Sequence, residues 1–167
     1  MYEIAIDASL NNIGLTVWRD GEIVSAKLLR HTEKHSKKEK KGDIRIARIT
    51  ENFNFVKEAL DKYTPEKVIV ESPTGSQDSS AMISYTFELA LIAYIQTLSY
   101  KVCTVTPMQA KKSLTGNKNA DKKEVMATVR DKYPDAPFPE NSKGEWYAYC
   151  EHLCDSVAIY LAGNQKN

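Results

Sequence analysis

Cysteine is scarce. The chain has three, an odd number and too few for a disulfide framework. A small secreted fold stapled by cross-links is thereby excluded, and free thiols in a reducing compartment are expected. Charge of one sign is missing too: 23 Lys and Arg stand against 22 Asp and Glu, a net +1. Overall electrostatics announces no polyanion partner, so any such site must come from local clustering. Long apolar runs are absent. The most apolar window, Phe87 to Ile95, is too short to cross a bilayer and contains Glu88, so no membrane partner is expected. No basic segment followed by an apolar one opens the chain, so no signal peptide is read and a cytoplasmic location is expected. There is no internal repeat. What remains is ordinary for a globular protein: 167 residues, 42 % apolar and 27 % charged, enough for one domain with a sizeable core.

Periodicity supplies the elements. Residues 2–7, 13–19 and 22–30 read as strands, with Asp20-Gly21 as a hairpin turn between the last two. Residues 31–43, HTEKHSKKEKKGD, form a polar linker with no apolar residue. Ile46, Ile49, Phe53, Val56 and Leu60 then recur at helical spacing, up to Thr64-Pro65. Lys67 to Glu71 is a short strand buried on both faces, broken by Ser72-Pro73-Thr74-Gly75. A long helix is expected over 79–98 and a strand over 101–105. Three helices follow: from Pro107 to near Gly116, from an Asp121 cap to about Tyr133, and over 148–163. Three strands in a meander, then helix-strand-helix-strand, then helices, imply one mixed sheet flanked by helices.

Two carboxylates sit at strand ends, Asp7 in IAIDASLNNIGLTVW and Glu71 in VIVESP. Asp155 lies in the final helix, and His152, three residues earlier, shares its face. Taken singly, each has a plain structural reading as a turn cap or a surface hydrogen bond. Taken together they admit another. If the two strands are neighbours, three carboxylates and a histidine meet at one spot. Carboxylates so placed raise one another's pKa values, and a divalent cation relieves that. Mg²⁺ prefers hard oxygen ligands, and a pair of ions can activate water against a phosphodiester.

Four segments, IAIDASLNNIGLTVW, VIVESP, TPMQAKKSLTGNKNADKKEVM and HLCDSVAIYLA, resemble in order and separation those of the RuvC family of Holliday-junction resolvases. The third, with its basic loop, is the most specific. The resemblance implies an α/β, ribonuclease-H-like fold over 1–167 as a single nuclease domain. Its mixed five-stranded sheet would combine a three-strand meander with two parallel strands. It also implies a homodimer that nicks opposed strands of four-way DNA junctions in the cytoplasm of a bacterium or phage-infected cell. Two Mg²⁺ ions per site are implied, with Mn²⁺ as a substitute. Asp7, Glu71, His152 and Asp155 would be catalytic and metal-ligating. Lys111 and Lys122 match DNA-contacting lysines of the family, and Lys112 and Lys118 extend that basic patch. Two rival readings are a ribonuclease-H-like nuclease on RNA or RNA–DNA hybrids, and a non-catalytic junction-binding protein.

Departures point to the divergent, phage-type branch, for which a substrate range that extends to other branched DNA junctions is expected. Lys118 stands where relatives often have a second glycine. Thr74 lies near where some insert an aromatic residue at the junction centre. The 31–43 segment carries Lys34, Lys37, Lys38, Lys40 and Lys41 against Glu33, Glu39 and Asp43. Without the resemblance, the lysines at 111, 112, 118, 122 and 123 read as a solvated face. FELALIAYI is apolar nearly all round, as for a helix with one face on the sheet and the other on a dimer partner. The alternative is burial under the 135–147 loop. Cys150, His152 and Cys154 invite a zinc reading, but His152 points away from the face the two cysteines share, and buried apolar thiols fit better. Trp146, Tyr147 and Tyr149 are assigned to packing, with base stacking as the alternative use.

Overall fold

The structure, a computed structural model of the chain, describes residues 1–33, 39–72 and 79–165, with backbone alone at 79–81. Lys34, Lys37 and Lys38, and the Pro73-Thr74-Gly75 break, lie outside the described residues.

Three antiparallel strands open the chain: β1 (Tyr2–Ala8), β2 (Asn12–Arg19) and β3 (Glu22–Arg30). Asp20 and Gly21 join the last two with φ of 56° and 84°, the left-handed pair that a two-residue hairpin requires. Then come α1 (Lys41–Tyr63), β4 (Lys67–Glu71), α2 (Ser79–Thr97) and β5 (Val102–Val105). Helices α3 (Pro107–Thr115) and α4 (Lys122–Lys132) follow, and a short 3-10 turn (Ala148–Cys150) leads into α5 (Glu151–Gly163). The strand order is β3-β2-β1-β4-β5, with β4 parallel to both of its neighbours. This is the expected mixed sheet of five strands.

Strand side chains alternate between the two faces of the sheet. Ile4, Ile6, Val68 and Val70 face a layer built by Val56 and Leu60 of α1 and Phe87, Leu91 and Ile95 of α2. Ala5, Trp18 and Ile69 face the opposite layer, where Leu114, Val125, Val129, Leu153 and Val157 of α3, α4 and α5 pack. By the same alternation Asp7 and Glu71 point toward the α5 side.

Two expectations need correction, and the alternatives for α2 are narrowed. The segment read as a linker over 31–43 is already helical from Lys41. Asp43 in the first turn favours that early start by meeting the positive end of the helix dipole. Ile46, assigned to the apolar stripe of α1, is 64 % exposed, because the stripe meets the core only from Ile49 onward. In α2 only one stripe is buried: Phe87, Leu91 and Ile95 are inside, while Met82 and Leu89 face solvent. The 135–147 loop does not cover α2, since its Phe138 and Trp146 pack in the α5 layer on the other side of the sheet.

Candidate active site

Parallel pairing sets Ile6 opposite Val70. The next residues along, Asp7 and Glu71, therefore stand side by side at the C-terminal edge of two central strands. Helix α5 is laid across them by close contacts with the sheet. Asp7 pairs with Gly14 on β2, and a Cβ on Gly14 would lie 2.2 Å from the carbonyl oxygen of His152. Only a bare Cα lets the first turn of α5 come so near. At the other end, a Cβ on Gly163 would come within 2.6 Å of Ile69. Between them, Ser156 Oγ hydrogen-bonds Thr16 Oγ1 at 3.0 Å, and Trp18 Nε1 donates to the same oxygen at 2.9 Å. All three side chains are fully buried, so this polar link fixes the rotation of α5 about its axis. Trp18 also stacks on Tyr160 of α5 at 3.7 Å.

With that rotation fixed, His152 Nδ1–H donates to Asp7 Oδ2 at 2.8 Å. Asp155 joins Asp7, Glu71 and Lys111 around a hollow of about 140 Å³, closed by Pro107, Ala110 and Ala158. Burial first, then the charges of Asp7, Asp155 and Glu88, push Glu71 up to about 8, with Lys111 opposing. Burial and Asp7 lift Asp155 to about 7, against His152 and Lys122. The hydrogen bond to Asp7 raises His152 despite its burial, so the imidazolium is favoured there.

Glu88 was not picked out from the sequence as a site residue. Burial and the Asp7 charge push it up to about 7, and it adds to the repulsion on Glu71. A signal was available: Glu88 is the one charged residue in the otherwise uncharged sequence of α2. Its neighbour Phe87 is buried, which ties this turn of α2 to the sheet.

The lysines divide. Lys111 lines the hollow. Lys122 is exposed and bonds Glu151 at 2.9 Å, and Glu151 in turn lies 3.8 Å from His152 Nε2. Lys112, Lys118 and Lys123 stand in solvent outside the hollow. In the turn between α3 and α4, Gly116 takes φ +80° while Lys118 keeps an ordinary φ, so the turn closes without a second glycine. Asp121 caps α4 by accepting from Glu124 N at 2.8 Å. Cys150 and Cys154 are fully buried in the apolar layer, which pushes both thiols up. His152 is turned away from them, onto Asp7.

The donor set suits a hard divalent cation. Its oxygens belong to carboxylates whose mutual repulsion a cation would relieve. Among the described residues, no three such side chains close on a point as a ready-made cage. Mg²⁺ does not require one, because it keeps several waters and binds through one or two carboxylates plus substrate phosphate.

A family model described as crossover junction endodeoxyribonuclease RuvC matches residues 4–139. The chain belongs to the RuvC family. Among solved structures, Thermus thermophilus RuvC in complex with a Holliday junction substrate is 25 % identical, with a TM-score of 0.68 over 97 % of this chain and 92 % of that one. A second Thermus thermophilus RuvC structure gives 0.66 at the same identity and coverage. The yeast mitochondrial Holliday junction resolvase Ydc2 shares the fold at 12 % identity, with a TM-score of 0.62 over 96 % and 76 % of the two chains. No curated protein sequence matches. The fold is thus that of RuvC, ribonuclease-H-like, as the sequence resemblance implied. The RuvC match ends before α5. His152 and Asp155 therefore rest on the geometry above and on structural likeness.

Proposed function

We propose that the chain is a divalent-cation-dependent endonuclease that cuts four-way DNA junctions, acting as one nuclease domain over 1–167. Membership of the RuvC family supports the substrate class. The observation that carries the chemistry is the hollow in which Asp7, Glu71 and Asp155 meet beside Lys111, with His152 bonded to Asp7.

Asp7, Glu71 and Asp155 would hold Mg²⁺, two ions in the fullest form of this reading, with Mn²⁺ as a substitute. Such a cation would offset charge on the phosphate and lower the pKa of an attacking water. The protein's own groups do the rest. Asp7, at the wall of the hollow, is held in one orientation by His152 Nδ1–H. Glu71 and Asp155 shed protons near neutral pH, where their displaced pKa values lie. His152 keeps a second nitrogen, Nε2, from which a proton can be passed at the mouth of the site. Lys111 offers a cation to the entering phosphate, and Lys122, Lys112 and Lys118 extend that field outward for the flanking backbone.

Cutting both strands of a junction in one encounter needs two sites, hence two chains. The outward face of α2 is suited to that contact. Met82 and Leu89 are exposed there, beside a cavity of about 310 Å³ lined by Leu10, Ile49, Ile83 and Phe87 together with Arg45 and Thr86. A two-fold dimer would bury the same patch on both chains.

The test is incubation with Mg²⁺ and labelled four-way junction, flap, duplex and RNA–DNA hybrid. Selective nicking of the junction is expected. Cleavage of the hybrid alone would favour a ribonuclease, and binding without cleavage would leave a junction-binding protein.

A further inference from the structure

The three aromatic residues ahead of α5 separate into two environments. Trp146 is 9 % exposed and packs on Phe138 with ring centroids 4.7 Å apart. Tyr147 and Tyr149 instead stack on each other at 4.9 Å with planes 11° apart. Arg30 lies over the Tyr149 ring, its guanidinium carbon 4.4 Å from the centroid. A ring has two faces. Arg30 and Tyr147 both stack on Tyr149, and two groups so close to one ring centroid fit only on its opposite faces, as a short column. Tyr147 ends the column and is 41 % exposed.

The column stands at the catalytic edge of the sheet. Arg30 is the last residue of β3 and pairs with Asn12, and Ile13 beside it pairs with Ala8, the residue after Asp7. Tyr149 precedes His152 by three residues along a helical run from the 3-10 turn into α5, about one turn away. An aromatic column capped by a guanidinium, ending in an open ring next to a phosphodiester-cutting site, has the form of a base-stacking platform. A nucleobase would extend the column by one layer on Tyr147, while Arg30 holds the Tyr149 ring beneath it.

We infer that Arg30, Tyr149 and Tyr147 form a site for an unpaired nucleobase of the DNA strand entering the active site. The inference rests on the nuclease reading above. It gives the enzyme a means of holding a nucleotide that has left its pair at a branch point, by stacking and without reading sequence.

The test uses 2-aminopurine placed at unpaired positions of a flap and at the centre of a four-way junction, in EDTA, so that no cation-dependent cutting takes place. Wild type should quench the probe. Tyr147→Ala should abolish the quenching and weaken flap binding about five- to tenfold, the lower range for one lost base–aromatic stack. Its affinity for fully paired duplex should not change. Tyr147→Phe should restore both signals, since the ring is kept. Unchanged quenching in Tyr147→Ala, or an equal loss on flap and duplex, overturns the platform. If wild type binds the junction tightly without quenching, the platform falls and the nuclease reading stands. If wild type binds no branched DNA, both fall.

Discussion

Replacing Glu71 by Gln removes one charge from the hollow while keeping the shape of the side chain. The pKa of Glu71 rises from 4.5 to about 8, so the folded protein binds more protons than the unfolded chain between those values. Stability is then full below about 4.5 and declines as pH rises through about 8. A displacement of that size corresponds to on the order of 5 kcal/mol once the group is ionised. Water reaching the mouth of the hollow screens part of it, leaving ~2 kcal/mol. In EDTA at pH 9, Glu71→Gln should therefore be more stable than wild type, with Tm higher by roughly 4–8 °C. At pH 5, where wild-type Glu71 is neutral in the fold, the two should nearly coincide. Added Mg²⁺ should reverse the order at pH 9, because wild type gains a bound ion that the variant holds weakly. Thermal denaturation followed by circular dichroism at the two pH values, with and without Mg²⁺, reads all of this. A wild type whose stability is flat between pH 5 and 9, or a variant less stable at pH 9, would refute the reasoning and make Glu71 a structural partner of Lys111.

Gly14→Ala places a methyl group 2.2 Å from the His152 carbonyl oxygen. It should destabilise the fold by about 1–3 kcal/mol in urea denaturation and weaken Mg²⁺ binding by displacing His152 and Asp155; an unaffected midpoint would mean α5 is free to shift. Lys111→Ala and Lys122→Ala should each weaken junction binding and reduce the slope of log K against log salt by about one; unchanged slopes in both would place the DNA elsewhere. Leu89→Glu puts a charge on the exposed face of α2, where an unpaired charge buried in a dimer costs several kcal/mol. Sedimentation should show a monomer that nicks a supercoiled cruciform once without linearising it. A wild type that sediments as a monomer both free and junction-bound would exclude the dimer.

The sheet was legible because its signals are local. Val68-Ile69-Val70 reads as a strand buried on both faces, and all three residues are fully buried. Asp20-Gly21 demanded a hairpin and makes one. Asp7 and Glu71 stood out only together, as carboxylates ending two apolar strands, and parallel pairing sets them side by side. His152 and Asp155 followed from helical spacing. What was illegible depends on contacts between distant segments. Glu88 sits in the middle of an apolar helix, and only the docking of α2 brings its charge to bear on Asp7. Ile46 fits the helical stripe of α1, but nothing in its spacing tells where the core stops. The Arg30–Tyr149–Tyr147 column joins the end of β3 to the turn before α5. Sequence shows two tyrosines near a tryptophan, with no sign that Trp146 packs inward while Tyr147 stacks at the surface.

Cleavage of a labelled four-way junction by wild type and Asp7→Asn, across a Mg²⁺ titration and with binding followed in parallel, tests the central claim most directly. Wild type should cut with saturable Mg²⁺ dependence. Asp7→Asn should bind the junction as tightly or more tightly, since it loses a negative charge facing the phosphate, yet cut at no measurable rate at any Mg²⁺ concentration. Cleavage by Asp7→Asn at the wild-type rate, or wild-type cleavage that persists in EDTA, would contradict a cation-dependent site built on Asp7.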